Sequence, residues 1–408
     1  MSDDLGLFTD PDVHHDDREP RPRGKAAVAA RRAKVRRKRT ILWVVVALVL
    51  GIGGVGAYYG YQTLSGIGSF DDFAGNGEAD VVIEVKDGDP VGAIATTLKE
   101  QGVVASARAF TEAGKNDARL TAIQPGFYLV KTKMSGSAAV ARMVDPATKV
   151  TPLEVKGGNV LHDIKGLDGK VTKGILTMLS DASCVKLDGV QKCVTTDQLR
   201  DAAENADPVA LGVPDWAMAD VVKAEKPHRL EGLIAPGLYH VKPGASAVDI
   251  LKSVITTAST RIQSYGIPSG SKETGFRPYE ILVIASLVEK EGIAKDFGKV
   301  ARVIHSRLAV TQKLELDSTV NYKLDQPNIT TNDQDRERAG PYNTYFVTGM
   351  PPTPIGSPSR EAITAAIHPE PGKWMYFVKC KKDGTSCFNE TYDGHRADSD
   401  KARAEGVF

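Results

Sequence analysis

Apolar positions along the chain fall into runs of three kinds. The first is "TILWVVVALVLGIGGVGAYYGY" at 40–61, which carries no charge in 22 residues. A bilayer's hydrocarbon layer is spanned by about 20 apolar residues, so this run predicts a single N-terminal transmembrane helix. The second kind is mixed. "DVVIEVKDGDPVGAIATTLKEQGVV" reads as a strand, a turn and an amphipathic helix. "PGFYLVK" at 125–131 reads as a strand after a turn, and "GSAAVARMV" as a further helix. The third kind is "ILVIASLVEKEG" at 281–292, an almost wholly apolar run that ends on Glu289, Lys290 and Glu291. Pro278 suits a first helical position, Glu280 the positive end of the helix dipole, and Gly292 a stop. A helix over 278–291 follows.

One pattern recurs. "IQPGFYLVKTKMSGSAAVARMV" (123–144) resembles "IAPGLYHVKPGASAVDILKSVI" (234–255), each with I-x-P-G-x-Y-x-V-K, a loop and a helical period. Strands and helices mix without regular βαβ alternation, so the fold class is α+β. The composition shifts divide the chain into a disordered cytoplasmic tail at 1–39, a membrane helix at 40–61 and a linker at 62–79. A small α/β module at 80–150, an intermediate region at 151–264 and a catalytic domain at 265–408 complete it.

Formal net charge is only +1, which excludes a global basic field for nucleic acid. The asymmetry is local: "RRAKVRRKR" at 31–39 holds seven basic residues in nine, directly before the apolar span. Lys and Arg stay on the cytoplasmic side, so the remainder of the chain is expected outside the cell membrane. A cleaved signal peptide is the alternative, with a shorter apolar core and leader. The four cysteines suit an oxidising compartment. Counting outwards from Asp188-Gly189 puts Cys184 opposite Cys193, and from Asp383-Gly384 puts Cys380 opposite Cys387. Two local cross-strand disulfides are expected, against four free thiols. No His cluster has zinc spacing or an HExxH pattern, so neither a metal nor another cofactor is expected.

The charged end of the 278–291 helix is the candidate for acid chemistry. Glu289 and Glu291 lie two apart and face different directions. Behind Glu289 stand Leu282, Ala285 and Ser286, whose small members leave space for a substrate; behind Glu291 stand the bulkier Ile284, Leu287 and Val288. Dry surroundings and the negative helix end both raise a carboxyl pKa, as a general acid requires. Glu289 is the first candidate and Glu291 the second. The ordinary alternative is a solvated helix end.

Downstream come "VIHSRL", "LDSTVNY", "PYNTYFVTGMPPTPI", "AAIHP" and "YFV". With "SLVEKEG", their order and spacing from about 275 to 395 resemble the YceG-like family of endolytic murein transglycosylases. "EG" and "PG.Y" at 231–239 match more loosely. The resemblance implies a membrane-anchored enzyme that cuts nascent peptidoglycan glycan strands, with contacts to peptidoglycan synthases of the penicillin-binding type. It also implies that 80–150 is a LysM-like module. Carried over residue by residue, it makes Glu289 the catalytic acid. Asp317, Thr319, Tyr322, Tyr342, Asn343, Thr344 and Tyr345 become groove residues. Ser318 stands where the family often has Pro, and Ser306 where it often has Asn. Arg277 replaces a capping Thr, so a capping box is expected to be lost. Ser386 and Cys387 replace a His-Thr type pair.

The implied reaction is non-hydrolytic cleavage after N-acetylmuramic acid to give a 1,6-anhydro end. Ordinary glycosidases need two flanking carboxyls, and Asp317 is the available second one. The competing readings are a hydrolytic muramidase, a non-catalytic glycan-binding scaffold for synthases, and serine chemistry at the S-x-x-K of Ser269–Lys272. The last lacks a following K-T-G.

Overall fold

The computed structural model of the protein describes residues 70–166, 168–324 and 333–408, together with Leu50 and Gly53. The expected tail, the apolar span at 40–61 and nearly all of the expected linker lie outside the described residues. Among the described residues, no helix is long and apolar enough to cross a membrane.

Mixed α+β architecture is observed. The N-terminal part runs β1 (Asp80–Val85), α1 (Val91–Glu100), α2 (Ala107–Gly114), β2 (Gly126–Lys131) and α3 (Gly136–Met143). β1 and β2 pair antiparallel, with Asp80 opposite Lys131 and Val85 opposite Gly126. Period-two alternation puts Ile83, Val85 and Val130 onto the helices, where Leu98, Phe110 and Met143 close a core of their own.

The next stretch contains β3 (Leu153–Val155), a short hairpin of β4 (Ile164–Lys165) and β5 (Val171–Thr172), and α4 (Ile175–Ser183). The hairpin β6 (Val185–Leu187) and β7 (Val190–Lys192) follows, then α5 (Thr196–Asn205), α6 (Asp215–Lys223), β8 (Gly237–Tyr239) and α7 (Ala247–Ser264). The C-terminal stretch contains α8 (Pro278–Glu291), α9 (Phe297–Ala309), α10 (Asp317–Asn321), α11 (Asp333–Glu337) and α12 (Arg360–Ile367). It ends with β9 (Tyr376–Lys379), β10 (Ser386–Asn389) and α13 (Tyr392–Ala404). All five strand pairs among the described residues are antiparallel and two-stranded. One continuous hydrophobic core runs from Leu153 to Ile367.

The sequence repeat is structural. Gly126 and Gly237 open β2 and β8 at φ 137° and 142°, a region that L side chains rarely adopt. The tyrosine two residues on, Tyr128 or Tyr239, donates its hydroxyl hydrogen to the carbonyl four residues back, Gln124 or Ala235. A helix, α3 or α7, follows each strand.

Both disulfides are present, Cys184–Cys193 and Cys380–Cys387. The first flanks the ladder as counted, next to Val185 opposite Lys192. The second does not. β9 and β10 pair Lys379 with Ser386 and Val378 with Cys387, so the bridge runs diagonally. The turn is centred one residue earlier than counted, on Lys382-Asp383, because the Gly384 N–H bonds to the Lys381 carbonyl and the Cys380 N–H to the Thr385 carbonyl.

α8 has the expected bounds and is buried from Ile281 to Val288. Such a helix is a central core element. It packs against α6, α9, α10 and α12. At its start half of the capping box survives: the Glu280 carboxylate accepts the Arg277 N–H at 2.8 Å. The Arg277 guanidinium turns outward to Asp220 and Glu280. At its end Gly292 has φ −122°, ordinary extended backbone. Packing is close there: a Cβ would stand 3.2 Å from Val300 and 3.3 Å from Phe297, so those side chains would have to give by a few tenths of an ångström.

Candidate active site

The last three residues of α8 point to three different walls, as about 100° per residue requires. Glu289 reaches the start of α12, where its Oε2 accepts the Ser359 N–H at 2.9 Å. Gly157 lies so close that a Cβ there would sit 2.2 Å from Glu289 Oε1. Lys290 donates to the Gly158 carbonyl at 2.6 Å, and burial holds its pKa below the usual lysine value. Glu291 faces α10, where its Oε1 accepts the Ser318 N–H at 3.3 Å.

The small-residue face behind Glu289 is occupied by the protein itself. Ser286 is fully buried, donates to the Val283 carbonyl and accepts the Ile355 N–H at 3.1 Å. The "PPTPIGSP" segment fills the space that Ala285 and Ser286 leave. Ser357 continues it by donating to the Ile234 carbonyl.

Around Glu291 the setting is electrostatic. Burial pushes its carboxyl above the usual glutamate range, and the Asp317 charge adds to that; the Ser318 contacts and Lys379 draw it back. Asp317 in turn accepts the Tyr345 hydroxyl at 2.7 Å and pairs with Arg336 at 3.3 Å. The Arg336 guanidinium lies 5.1 Å over the Tyr345 ring. Tyr345 is pushed above the usual tyrosine value by burial first and then by Asp317. Thus Glu291, Asp317, Tyr345 and Arg336 form one cluster on one side of α10.

The remaining expected groove residues are drawn inward. Thr319 and Thr344 are fully buried and share a hydroxyl–hydroxyl contact at 2.9 Å, while Thr344 also accepts the Leu316 N–H. Asn343 spends its amide on the carbonyls of Asp335, Arg336 and Arg338, and its Oδ1 accepts the Tyr345 N–H. Tyr342 is 1% exposed and bonds to Thr353. These four brace the loop that presents Tyr345. Tyr322 lies on the other side of α10, in a cavity of about 530 Å³ that also touches His162, His228, Glu231, Lys290 and Ser318. A larger depression of about 670 Å³ between β7, α5 and α7 contains none of the candidate catalytic or groove residues.

The model of the YceG-like family matches residues 83–401. The chain belongs to the YceG-like family. Among curated relatives, the endolytic murein transglycosylase of Bacillus subtilis (strain 168) is 28% identical over 328 residues, 79% of this chain and 84% of that protein. The protein of the same name from Streptococcus pneumoniae serotype 2 (strain D39 / NCTC 7466) is 25% identical over 380 residues; the match spans 90% of this chain and 65% of that protein. A crystal structure of a YceG-like protein from Listeria monocytogenes has a TM-score of 0.50 at 23% identity, covering 78% of this chain and 98% of that one. This last likeness concerns the fold.

In this YceG-like chain, sequence reasoning passed over His228 and Arg336, and left Glu231 inside a loosely matched stretch. Glu231 is 1% exposed. Burial raises its pKa from 4.5 to about 7, against the opposing pull of the Leu161 N–H, Tyr322, Lys290 and the Gly232 N–H. The readable signal was an acidic residue inside "LEGLIAPG" (230–237), an otherwise uncharged and largely apolar stretch.

Proposed function

We propose that the protein is a membrane-anchored endolytic lytic transglycosylase of nascent peptidoglycan, with Glu291 as its acid. The observation that carries the reading is the placement of the Glu291 carboxyl at the end of a core helix, against α10 and its Asp317, where its Oε1 accepts the Ser318 N–H at 3.3 Å; burial there raises its pKa. Glu289 was the first candidate on sequence. Its hydrogen bond to Ser359 and its contact with Gly157 favour a supporting role at the start of α12.

In this reading neutral Glu291 gives its proton to the bridging oxygen of the bond after N-acetylmuramic acid. That bond breaks and positive charge develops at C1. The Glu291 carboxylate then takes the proton of the sugar's own C6 hydroxyl as that oxygen closes on C1. The nucleophile is part of the substrate, so its effective concentration is high without a bound water. Asp317 stabilises the charge at C1 and is itself held by Tyr345 and Arg336. The 80–150 part acts as a LysM-like glycan-binding module, and 40–61 anchors the chain beside the synthases that extrude the strand.

The test is product analysis. Full-length protein is incubated with nascent, uncrosslinked glycan and the ends are read by mass spectrometry. Strands ending in 1,6-anhydro sugars are expected. Reducing ends instead identify a hydrolytic muramidase, and bound but uncut strands identify a scaffold.

A further inference from the structure

On the cavity side of α10, one lysine is built into place with hydrogen-bonding capacity to spare. Lys290 stands between Glu289 and Glu291, and its side chain packs on two loop segments, 157–159 and 356–357. The segments are tied to each other: the Gly158 N–H donates to the Ser357 carbonyl at 2.8 Å, and the Ser357 N–H to the Asn159 carbonyl at 2.7 Å. A Cβ at Gly356 would stand 2.9 Å from Lys290 Cε, and one at Gly158 3.7 Å from Nζ. The bare backbone at Gly356 lets the lysine stem pass, and the Gly158 carbonyl accepts one hydrogen of the ammonium at 2.6 Å.

An ammonium has three hydrogens to donate and accepts none. Among the described residues the Gly158 carbonyl is the one hydrogen-bond acceptor of Lys290, and no carboxylate pairs with it. Glu231 and Glu289 attract it only through space. Spare donors on a half-buried charge are costly unless something accepts them. The space open to them is the cavity of about 530 Å³ that Lys290 lines. Val160, Ile164, Leu324 and Ile355 give the same cavity an apolar part. Tyr322 is already engaged there, its hydroxyl held by Glu231 and His228. Ser318 joins the cavity to the proposed acid, since it lines the cavity and its N–H bonds to Glu291.

We infer that this cavity is an acetamido pocket, in which Lys290 donates to the carbonyl oxygen of a sugar's N-acetyl group while the acetyl methyl lies on the apolar part. An acetamido group carries a strong acceptor and a methyl on one carbon, which is the pair of features the lining complements. A carboxylate would use the ammonium, but it would set a further acidic group beside Asp163 and Glu231 and leave the apolar part without a partner. A hydroxyl would reach the ammonium and likewise leave the apolar part uncovered. A cavity of this volume lies in the range of small-ligand clefts and has room for one sugar ring with its substituents.

The consequence is a preference among glycans. A strand of 2-acetamido sugars is held beside Glu291, and a strand with the same β-1,4 backbone but hydroxyls at C2 is not. The place of the pocket in the reaction rests on the proposed transglycosylase reading; its preference for acetamido groups does not.

Two readouts test it on the full-length protein. Tetra-N-acetylchitotetraose and cellotetraose share the β-1,4 backbone and differ in carrying acetamido groups or hydroxyls at C2. In methyl NMR, the first is expected to shift the Ile164, Leu324 and Ile355 signals and the second to leave them in place. K290M keeps an unbranched stem and removes the ammonium. It is expected to weaken the chitotetraose Kd read at these methyls roughly tenfold, the worth of one charge-assisted hydrogen bond. In glycan cleavage it is expected to raise KM by about the same factor, and by more than it lowers kcat. If K290M does not fold, I164W decides the matter: its indole fills the cavity and leaves Lys290 intact, so the Ile355 shift is expected to vanish. An equal response to the two oligosaccharides overturns the inference, as does no response at the cavity methyls. A folded K290M that loses stability but keeps the wild-type Kd or KM confines Lys290 to holding Gly158, and overturns it too. A protein that cuts no glycan but shows the acetamido- and Lys290-dependent response overturns the functional reading and keeps the pocket. One that cuts glycan without that response does the reverse.

Discussion

Residues 289 to 291 show how far one helical step changes a side chain's task. Glu289 places its charge at the amino end of α12, where exposed N–H groups favour an anion. Glu289→Gln is therefore expected to lower stability by about 0.3–1 kcal/mol in thermal or chemical denaturation, with cleavage retained. Ser318 matters for the opposite neighbour. Its N–H bonds to Glu291, and a proline at this place would have no N–H. Ser318→Pro removes a donor that favours the ionised form. The Glu291 pKa then rises further, and the alkaline limb of kcat moves to higher pH. An unmoved limb in the folded variant would separate Ser318 from the acid. The sequence revealed that two carboxylates faced two directions. It did not reveal which direction was filled, because Ser286 looks the same whether Ile355 or a sugar lies against it. That depends on a loop some 70 residues away.

Helix α8 was legible in both bounds, since a proline start and a charged stop bracket an unbroken apolar run. What was not legible was the use of the terminal residues. Gly292 serves packing on Val300 and Phe297 rather than a left-handed turn. The lost capping residue is half compensated by Glu280. Because α8 is buried on all sides, truncating it is costly. Leu287 is 0% exposed, and Leu287→Ala is expected to cost about 2–5 kcal/mol in the unfolding transition. The "YNTY" run shows the converse problem. Its polar residues suggest a sugar surface, yet Asn343 and Thr344 are spent on backbone and hydroxyl partners. Only Tyr345 reaches the acidic cluster. A polar loop must satisfy its own buried backbone before it can serve a ligand. The register of the second hairpin differed for a related reason: Asp383 sits at the second central position of the turn, not the first, and holds it through the Thr385 N–H and hydroxyl.

At the scale of the molecule, a small β1–β2 core and a larger one meet at the P-G-x-Y elements. Reciprocal 2.8 Å bonds between Asp80 and Asp188 add a second fastening. The repeat was legible because glycine and tyrosine each have a fixed task in it. The deep placement of Glu231 was not, since burial is decided jointly by the 226–241 stretch, α8 and α10. Its raised pKa has a consequence for the whole fold. Between its ordinary value of 4.5 and about 7, the folded state holds a proton that the unfolded chain releases, so stability falls as pH rises through that window. His228, lowered from 6.5 to about 4, acts in the reverse sense over its own window. Glu231→Gln removes the first contribution and leaves the second. Compared with wild type, the variant is expected to gain stability progressively from pH 4.5 to about pH 7 and to level off above it, at about 1.4 kcal/mol per unit of displaced pKa. A difference that does not vary with pH would show that Glu231 titrates normally.

The central claim is that Glu291, and not its neighbour two residues earlier, gives and takes the proton. It is tested most directly by measuring glycan-strand cleavage by folded, full-length Glu291→Gln and Glu289→Gln side by side under one set of conditions. The account predicts a loss of about three orders of magnitude or more in Glu291→Gln, in line with removal of a general acid–base group, and near wild-type cleavage in Glu289→Gln. Cleavage preserved in Glu291→Gln and abolished in a folded Glu289→Gln would contradict it.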